Sequence, residues 1–206
     1  MKYAAQTIEA FSAALASKAP TPGGGGAAAV MGALGVSLGA MVGSLTLGKK
    51  KYRDVEEEIQ ALMEQAEALR MRLLSFADAD EEAFLPLAAA YSIPKEDPSR
   101  KEVMEAALKT ASETPLALMH ACCEGLTMVS EFAKKGSALA VSDAGCGAAC
   151  LKAALQSASF NVYINIDAME DKDAAEAFRR EADELLLEYE KKADEIVALV
   201  KERIGA

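Results

Sequence analysis

Carboxylates are the most abundant reactive groups in this chain. Asp and Glu number 32 against 22 Lys and Arg, with one His and four Cys. A carboxylate can move protons and can stabilise a developing cation. Asp143 directly precedes a run of small residues, Ala144, Gly145, Gly147, Ala148 and Ala149. A charge beside a Gly/Ala helix face does more than meet water: it caps the helix, pairs across a dimer contact or takes part in chemistry. Asp80, in DADEEAF, reads as either a solvated acid or a functional one. His120, in LALMHACCEG, reads as a structural or exposed helix residue. Cys122, Cys123, Cys146 and Cys150 lack the paired C-x-x-C spacing of zinc sites. They read as reduced thiols packed like small hydrophobes, and no metal site is expected.

The segment APTPGGGGAAAV, residues 19–30, admits three readings: a slack linker, a membrane entry point or a loop that holds a ligand. It precedes a helical stretch, where backbone N–H groups lack partners and the dipole favours negative charge. A carboxylate could sit there, or a flat ring edge could approach without side-chain hindrance. Lys49, Lys50 and Lys51 read as an ordinary basic helix end or as partners for an anionic tail.

The elements that must position these groups are helical. Ala, Leu, Glu and Met dominate, aromatic residues make up 5% and Trp is absent. Helical spacing is predicted over 4–17, through Ile8, Phe11 and Leu15, ending at Pro20 and Pro22. No charge occurs from Gly23 to Leu47, and Gly35, Gly39 and Gly43 form a GxxxGxxxG series that Gly32 extends. Such a stretch suits a transmembrane helix or the central helix of a bundle. Interior glycines cost about 0.5–1 kcal/mol each relative to Ala, so close approach of another helix, a partner subunit or a flat ligand must compensate. Helical patterns continue over 52–92, with Pro86 expected to kink or split the helix, and over 99–134, with a kink expected at Pro115. Asp97 or Ser99 is a candidate cap, and Gly136 a candidate C′ residue. Residues 139–168 are small and apolar, and NVYINI at 161–166 stays helical because a lone strand has no partner. Residues 171–204 form a charged amphipathic helix with acids at its start. The prediction is one all-α domain over residues 1–206, an up-and-down bundle of about six helices with Gly/Ala-rich helices at its centre.

The formal net charge of −10 repels phosphate backbones, so no nucleic-acid partner is expected. No signal peptide is read at the start of the chain, and a cytoplasmic location without membrane insertion is expected.

PTPGGG, GKKKY, DEEAF, SDAG and NVYIN occur in that order. Together they resemble the family of the C-terminal domain of formiminotransferase-cyclodeaminase, over about residues 5–195. The resemblance implies an all-α fold, a homodimer or larger assembly, and a tetrahydrofolate substrate with no tightly bound cofactor. It implies formiminotetrahydrofolate cyclodeaminase activity, which yields 5,10-methenyltetrahydrofolate and ammonia. The alternative is methenyltetrahydrofolate cyclohydrolase activity, which yields 10-formyltetrahydrofolate. Placed on its motifs, the resemblance makes Asp143 and Asp80 the catalytic candidates. Pro22, Gly23, Gly24, Gly25, Lys49, Lys50, Tyr52, Ser142, Asn161 and Asn165 become substrate-binding candidates, for a folate with or without a polyglutamate tail. The chain departs from the family pattern at Gly26, where Ser is usual, and at GSALAV, where many members carry an Asn-rich turn.

Spacing constrains how these groups combine. Asp143 and Asn161 are 18 residues apart, five turns of one helix, hence roughly 27 Å. In an up-down bundle the glycine loop then meets Asn161, Asn165 and Asp80, while Lys49, Lys50 and Tyr52 meet Asp143. Either one long folate spans both ends, or two subunits bring opposite ends together; a site near a subunit interface is expected. A non-catalytic oligomerisation scaffold and a membrane-associated protein are the competing readings.

Overall fold

The computed structural model describes residues 2–206. Among these there are six α-helices and no strand: α1 Ile8–Leu15, α2 Gly24–Ser44, α3 Glu56–Tyr91, α4 Arg100–Lys135, α5 Val141–Asp167 and α6 Lys172–Ile204. Short 3-10 turns cover Tyr3–Ala5, Lys50–Val55 and Ala138–Ala140. The all-α bundle matches the expectation, with differences at particular residues.

The first helix starts later than its spacing predicts. Thr7 caps it by accepting the Ala10 N–H at 3.1 Å, and Ile8 is exposed. Pro86 and Pro115 do not split α3 and α4, which run unbroken through them. Pro86 is exposed, so the carbonyl it frees at Glu82 can meet water. Pro115 is buried, and its freed carbonyl is satisfied by a side chain described below. Asp97 receives the Ser99 N–H at 2.9 Å and the Ser99 hydroxyl at 2.7 Å, just before α4 begins. Gly136 follows α4 with φ −79°, so it is not a left-handed cap. A Cβ there would stand 2.5 Å from Val42 Cγ1, so close packing explains the glycine. Asp171 caps α6 by accepting the Ala174 N–H at 3.0 Å.

The uncharged helix α2 is central and packs against α3, α4 and α5. Gly35 faces Gly147 of α5: a Cβ on either would lie 2.7–2.8 Å from the other's carbonyl oxygen. The glycines of α2 do not share one partner, since Gly39 faces Val129 and Phe132 of α4 and Gly43 faces Met63 of α3 as well as Phe132. A four-residue step advances about 40° around a helix, so the row winds from one neighbour to the next. Leu73, Leu126, Phe132, Leu151 and Leu155 are fully buried in the surrounding core. Two helical stretches, Gly24–Ser44 and Ala138–Asp167, are long and apolar enough to cross a membrane. Packing within the bundle accounts for much of that apolarity. Cys122 and Cys123 are buried, as expected of packed thiols, but Cys146 is exposed.

Candidate functional site

Gly24 approaches Asn161, while Gly35 meets Gly147, so α2 and α5 run antiparallel. The glycine loop therefore lies at the Asn161 and Asn165 end of α5. There Pro20, Thr21, Gly23, Gly24, Asp80, Asn161 and Asn165 line a cleft of about 170 Å³. Ala83, Phe84, Ala111 and Ile164 complete its walls.

Asp80 reaches this cleft from α3 because its carboxylate accepts the Gly26 N–H at 3.1 Å, in the first turn of α2. Only glycine at position 25 permits the approach: a Cβ there would lie 2.1 Å from Asp80 Oδ1. Burial pushes the Asp80 carboxyl above its ordinary value, and the Gly26 N–H offsets part of the rise. The result is a half-buried carboxyl group held by one backbone N–H. Position 26 is different, because a Cβ there would meet Pro22 Cβ at 3.4 Å and Ala77 O at 3.8 Å, ordinary contacts. Pro22 itself is buried under the loop.

Two asparagines face Asp80 from α5. Asn161 donates through Nδ2 to Ser157 O of its own helix at 2.8 Å. Asn165 donates through Nδ2 to Ala111 O of α4, also at 2.8 Å. Each amide oxygen is left free of these bonds for a ligand.

Sequence reasoning missed the network that holds the loop. Tyr3 Oη donates to Thr21 Oγ1 or Glu81 Oε1, each at 3.1 Å, and Thr21 Oγ1 donates to Glu81 at 2.8 Å. The Tyr3 N–H donates to Asp78 at 2.7 Å. Glu81 and Phe84 belong to DEEAF, so that motif signalled them, whereas Tyr3 carried no local signal.

Lys49, Lys50, Tyr52, Ser142 and Asp143 gather at the opposite end of the bundle. Tyr52 Oη accepts the Ala138 N–H at 3.0 Å, and Lys49 Nζ donates to Ser137 Oγ at 3.3 Å. The Ala138 N–H holds the Tyr52 hydroxyl below its ordinary pKa, against the effect of burial and with help from Lys51. Both side chains thus fasten the turn that leads into α5, while Lys50 is exposed. Asp143 lies half-buried in the first turn of α5, with Ser142 exposed beside it. One chain brings Asp80 together with the glycine loop, Asn161 and Asn165, but does not bring Asp143 to them. His120 lies on the α4 surface, paired with Glu181 at 2.7 Å and away from the cleft.

Residues 7–184 match the family model described as formiminotransferase-cyclodeaminase. A methenyltetrahydrofolate cyclohydrolase of Methylorubrum extorquens is 41% identical, covering 97% of this chain and 98% of that protein. The formimidoyltransferase-cyclodeaminase of Gallus gallus is 31% identical over 95% of this chain, which spans 37% of that longer protein. The crystal structure of formiminotetrahydrofolate cyclodeaminase from Thermotoga maritima superposes with a TM-score of 0.83 at 29% identity. It covers 98% of this chain and 96% of that one.

Proposed function

The chain belongs to the formiminotransferase-cyclodeaminase family of folate-dependent one-carbon enzymes, and on that premise we propose that it is a methenyltetrahydrofolate cyclohydrolase. The resemblance puts the cyclodeaminase reaction first, with the cyclohydrolase reaction as its alternative. Identity of 41% along nearly the full length of a cyclohydrolase supports placing that reaction first. The half-buried Asp80 carboxylate beside the glycine loop carries the proposal.

In this reading the cationic N5–C–N10 bridge of 5,10-methenyltetrahydrofolate lies against Asp80, whose charge complements it. Asp80 takes a proton from the attacking water as the C–O bond forms. It returns that proton to N5 as the C–N5 bond breaks. The products are 10-formyltetrahydrofolate and one proton released to solvent. Gly23, Gly24, Gly25 and Pro22 admit the flat ring, and Asn161 and Asn165 present amide oxygens to it.

The second reading is cyclodeamination, favoured by the likeness to the Thermotoga maritima enzyme. N10 of 5-formiminotetrahydrofolate then attacks the formimino carbon, and Asp80 passes the N10 proton to the departing ammonia. One carboxylate serves either reaction.

The proposal includes a homodimer with the site completed at the subunit interface. The 170 Å³ cleft falls short of the roughly 300 Å³ at which small-molecule sites begin. Ile164, on its rim, is 69% exposed. A partner would bring its own Asp143 end toward the Asp80 cleft, and the exposed Lys50 would meet the anionic folate tail.

The test offers the purified protein both folates and follows methenyl absorbance. The expected result is faster loss of absorbance from 5,10-methenyltetrahydrofolate than gain from 5-formiminotetrahydrofolate with ammonia release. Gain from the formimino substrate alone would establish the second reading. No change with either would leave a non-catalytic scaffold.

A further inference from the structure

Pro115 sits in the middle of α4, where it is buried among the core residues. A proline there has no N–H to give to the carbonyl four residues earlier, and its ring pushes that carbonyl off the helix axis. The carbonyl concerned is that of Ala111, a buried residue and part of the cleft wall. A buried carbonyl without a donor is costly, so something must replace the missing bond. The replacement is Asn165 Nδ2, which crosses from α5 and donates at 2.8 Å.

The consequence falls on the cleft. Asn161, one turn earlier on α5, bonds its own helix at Ser157 O, as an isolated helical Asn can. Asn165 reaches another helix instead. Its amide group is planar, so fixing one N–H fixes the plane of the whole group. Its Oδ1 and second N–H remain for a ligand in the cleft it lines beside Asp80. The mid-helix proline is therefore tied to the orientation of a cleft side chain.

We propose that Pro115 is a positioning residue for the substrate site: by freeing the Ala111 carbonyl it holds the Asn165 amide, leaving the amide oxygen to accept a hydrogen bond from a ring N–H or amino group of the substrate. The inference rests on the reading that the cleft binds the folate ring. It assigns Pro115 a role that neither its burial nor its place in the helix would supply alone.

The test is a double-mutant cycle of wild type, P115A, N165A and P115A/N165A, with steady-state kinetics on 5,10-methenyltetrahydrofolate and thermal melts of each protein. N165A should raise KM about tenfold, the worth of one substrate hydrogen bond. P115A should raise KM in the same sense with kcat little changed and no fall in Tm, because Ala restores the helical bond. The double variant should be no worse than N165A alone. Exchange of the Asn165 side-chain amide protons, read by NMR, should be slowed in wild type and ordinary in P115A. That measurement keeps the proposal testable even if P115A lowers stability. N165D, which swaps the donor for an acceptor against Ala111 O, should raise KM in wild type and raise it less in the P115A background. Unchanged KM in P115A alongside a raised KM in N165A would overturn the positioning role. So would multiplying effects in the double variant, or Asn165 amide exchange unaltered by P115A. Unchanged KM in N165A itself would instead overturn folate binding at this cleft, and the inference with it.

Discussion

Asp80 is a carboxyl group that folding partly removes from water. Burial raises its pKa, and a single backbone N–H from Gly26 offsets that only in part. The sign of the linkage follows. A raised folded-state value means that Asp80 contributes fully to stability only below its unfolded pKa of about 3.9, and that this contribution is lost as pH rises through the folded value. D80N should therefore melt higher than wild type at pH 7, with the difference closing toward about pH 4. Its turnover should fall roughly 10²- to 10⁴-fold, the usual worth of general acid–base catalysis. The acid limb of the wild-type rate profile, set by the raised Asp80 value, should vanish in D80N. Thermal melts and pH–rate profiles of both proteins check this, and undiminished turnover in D80N would remove Asp80 from the chemistry. Neighbouring glycines separate site from scaffold. G25A drives a Cβ to 2.1 Å from Asp80 Oδ1, so the carboxylate must swing away and activity should collapse while the helices remain. G26A meets only ordinary contacts and should gain about 0.5–1 kcal/mol of stability with activity retained.

Helices carry these residues to their places, and here the balance between local and long-range information becomes visible. The small-residue runs of α2 and α5 announced close packing, and Gly35 against Gly147 is that contact. Turning one of these glycines into Ala overpacks backbone against backbone, which has no flexible end to yield. G147A should cost about 1–3 kcal/mol. For a chain of this length, each kcal/mol corresponds to about 2–4 °C in Tm, readable in a thermal melt. An unchanged Tm would mean that α2 and α5 can part without penalty. Periodicity also gave the order of the helices and, through their up-down alternation, the gathering of Asp80 with the glycine loop. What it could not give are the bonds that join distant positions. Asn165 to Ala111 spans 54 positions and Tyr3 to Glu81 spans 78, and neither leaves a trace in local pattern. The two prolines show the same limit. Sequence identifies a carbonyl without its helical donor, but only the packed structure shows that water can reach one and that Asn165 answers the other.

At the scale of the whole molecule, a chain with a net charge of −10 keeps one face nearly free of charge. On α2 and at its C-cap, Leu34, Met41 and Leu45 are 54, 49 and 42% exposed, and their spacing puts them on one side of the helix. On α5, Cys146, Ala149, Ala153, Phe160 and Ile164 are exposed along one side, with Phe160 and Ile164 each at 69%. These two helices pack together, and the exposed row on α5 reaches the rim of the cleft at Ile164. Two acidic chains repel everywhere except across such a surface, and a two-fold contact matches the same patch on both copies. Helices α2 and α5 would then meet their equivalents, and the partner would cover the open side of the cleft. Placing Glu at Phe160 buries an unpaired charge in that contact, at about 3–5 kcal/mol, and should weaken association at least about a hundredfold. Light scattering after gel filtration should show wild type as a dimer and F160E as a monomer at the same concentration. L187E, on the exposed side of α6 where Leu187 is 81% exposed, should remain a dimer of wild-type activity. F160E should lose methenyl turnover in parallel with dissociation, and raising the protein concentration should restore both together. A monomeric F160E with full turnover would confine the site to one chain, and Asp80, Asn161 and Asn165 would then have to hold the reacting bridge without help from the Asp143 end.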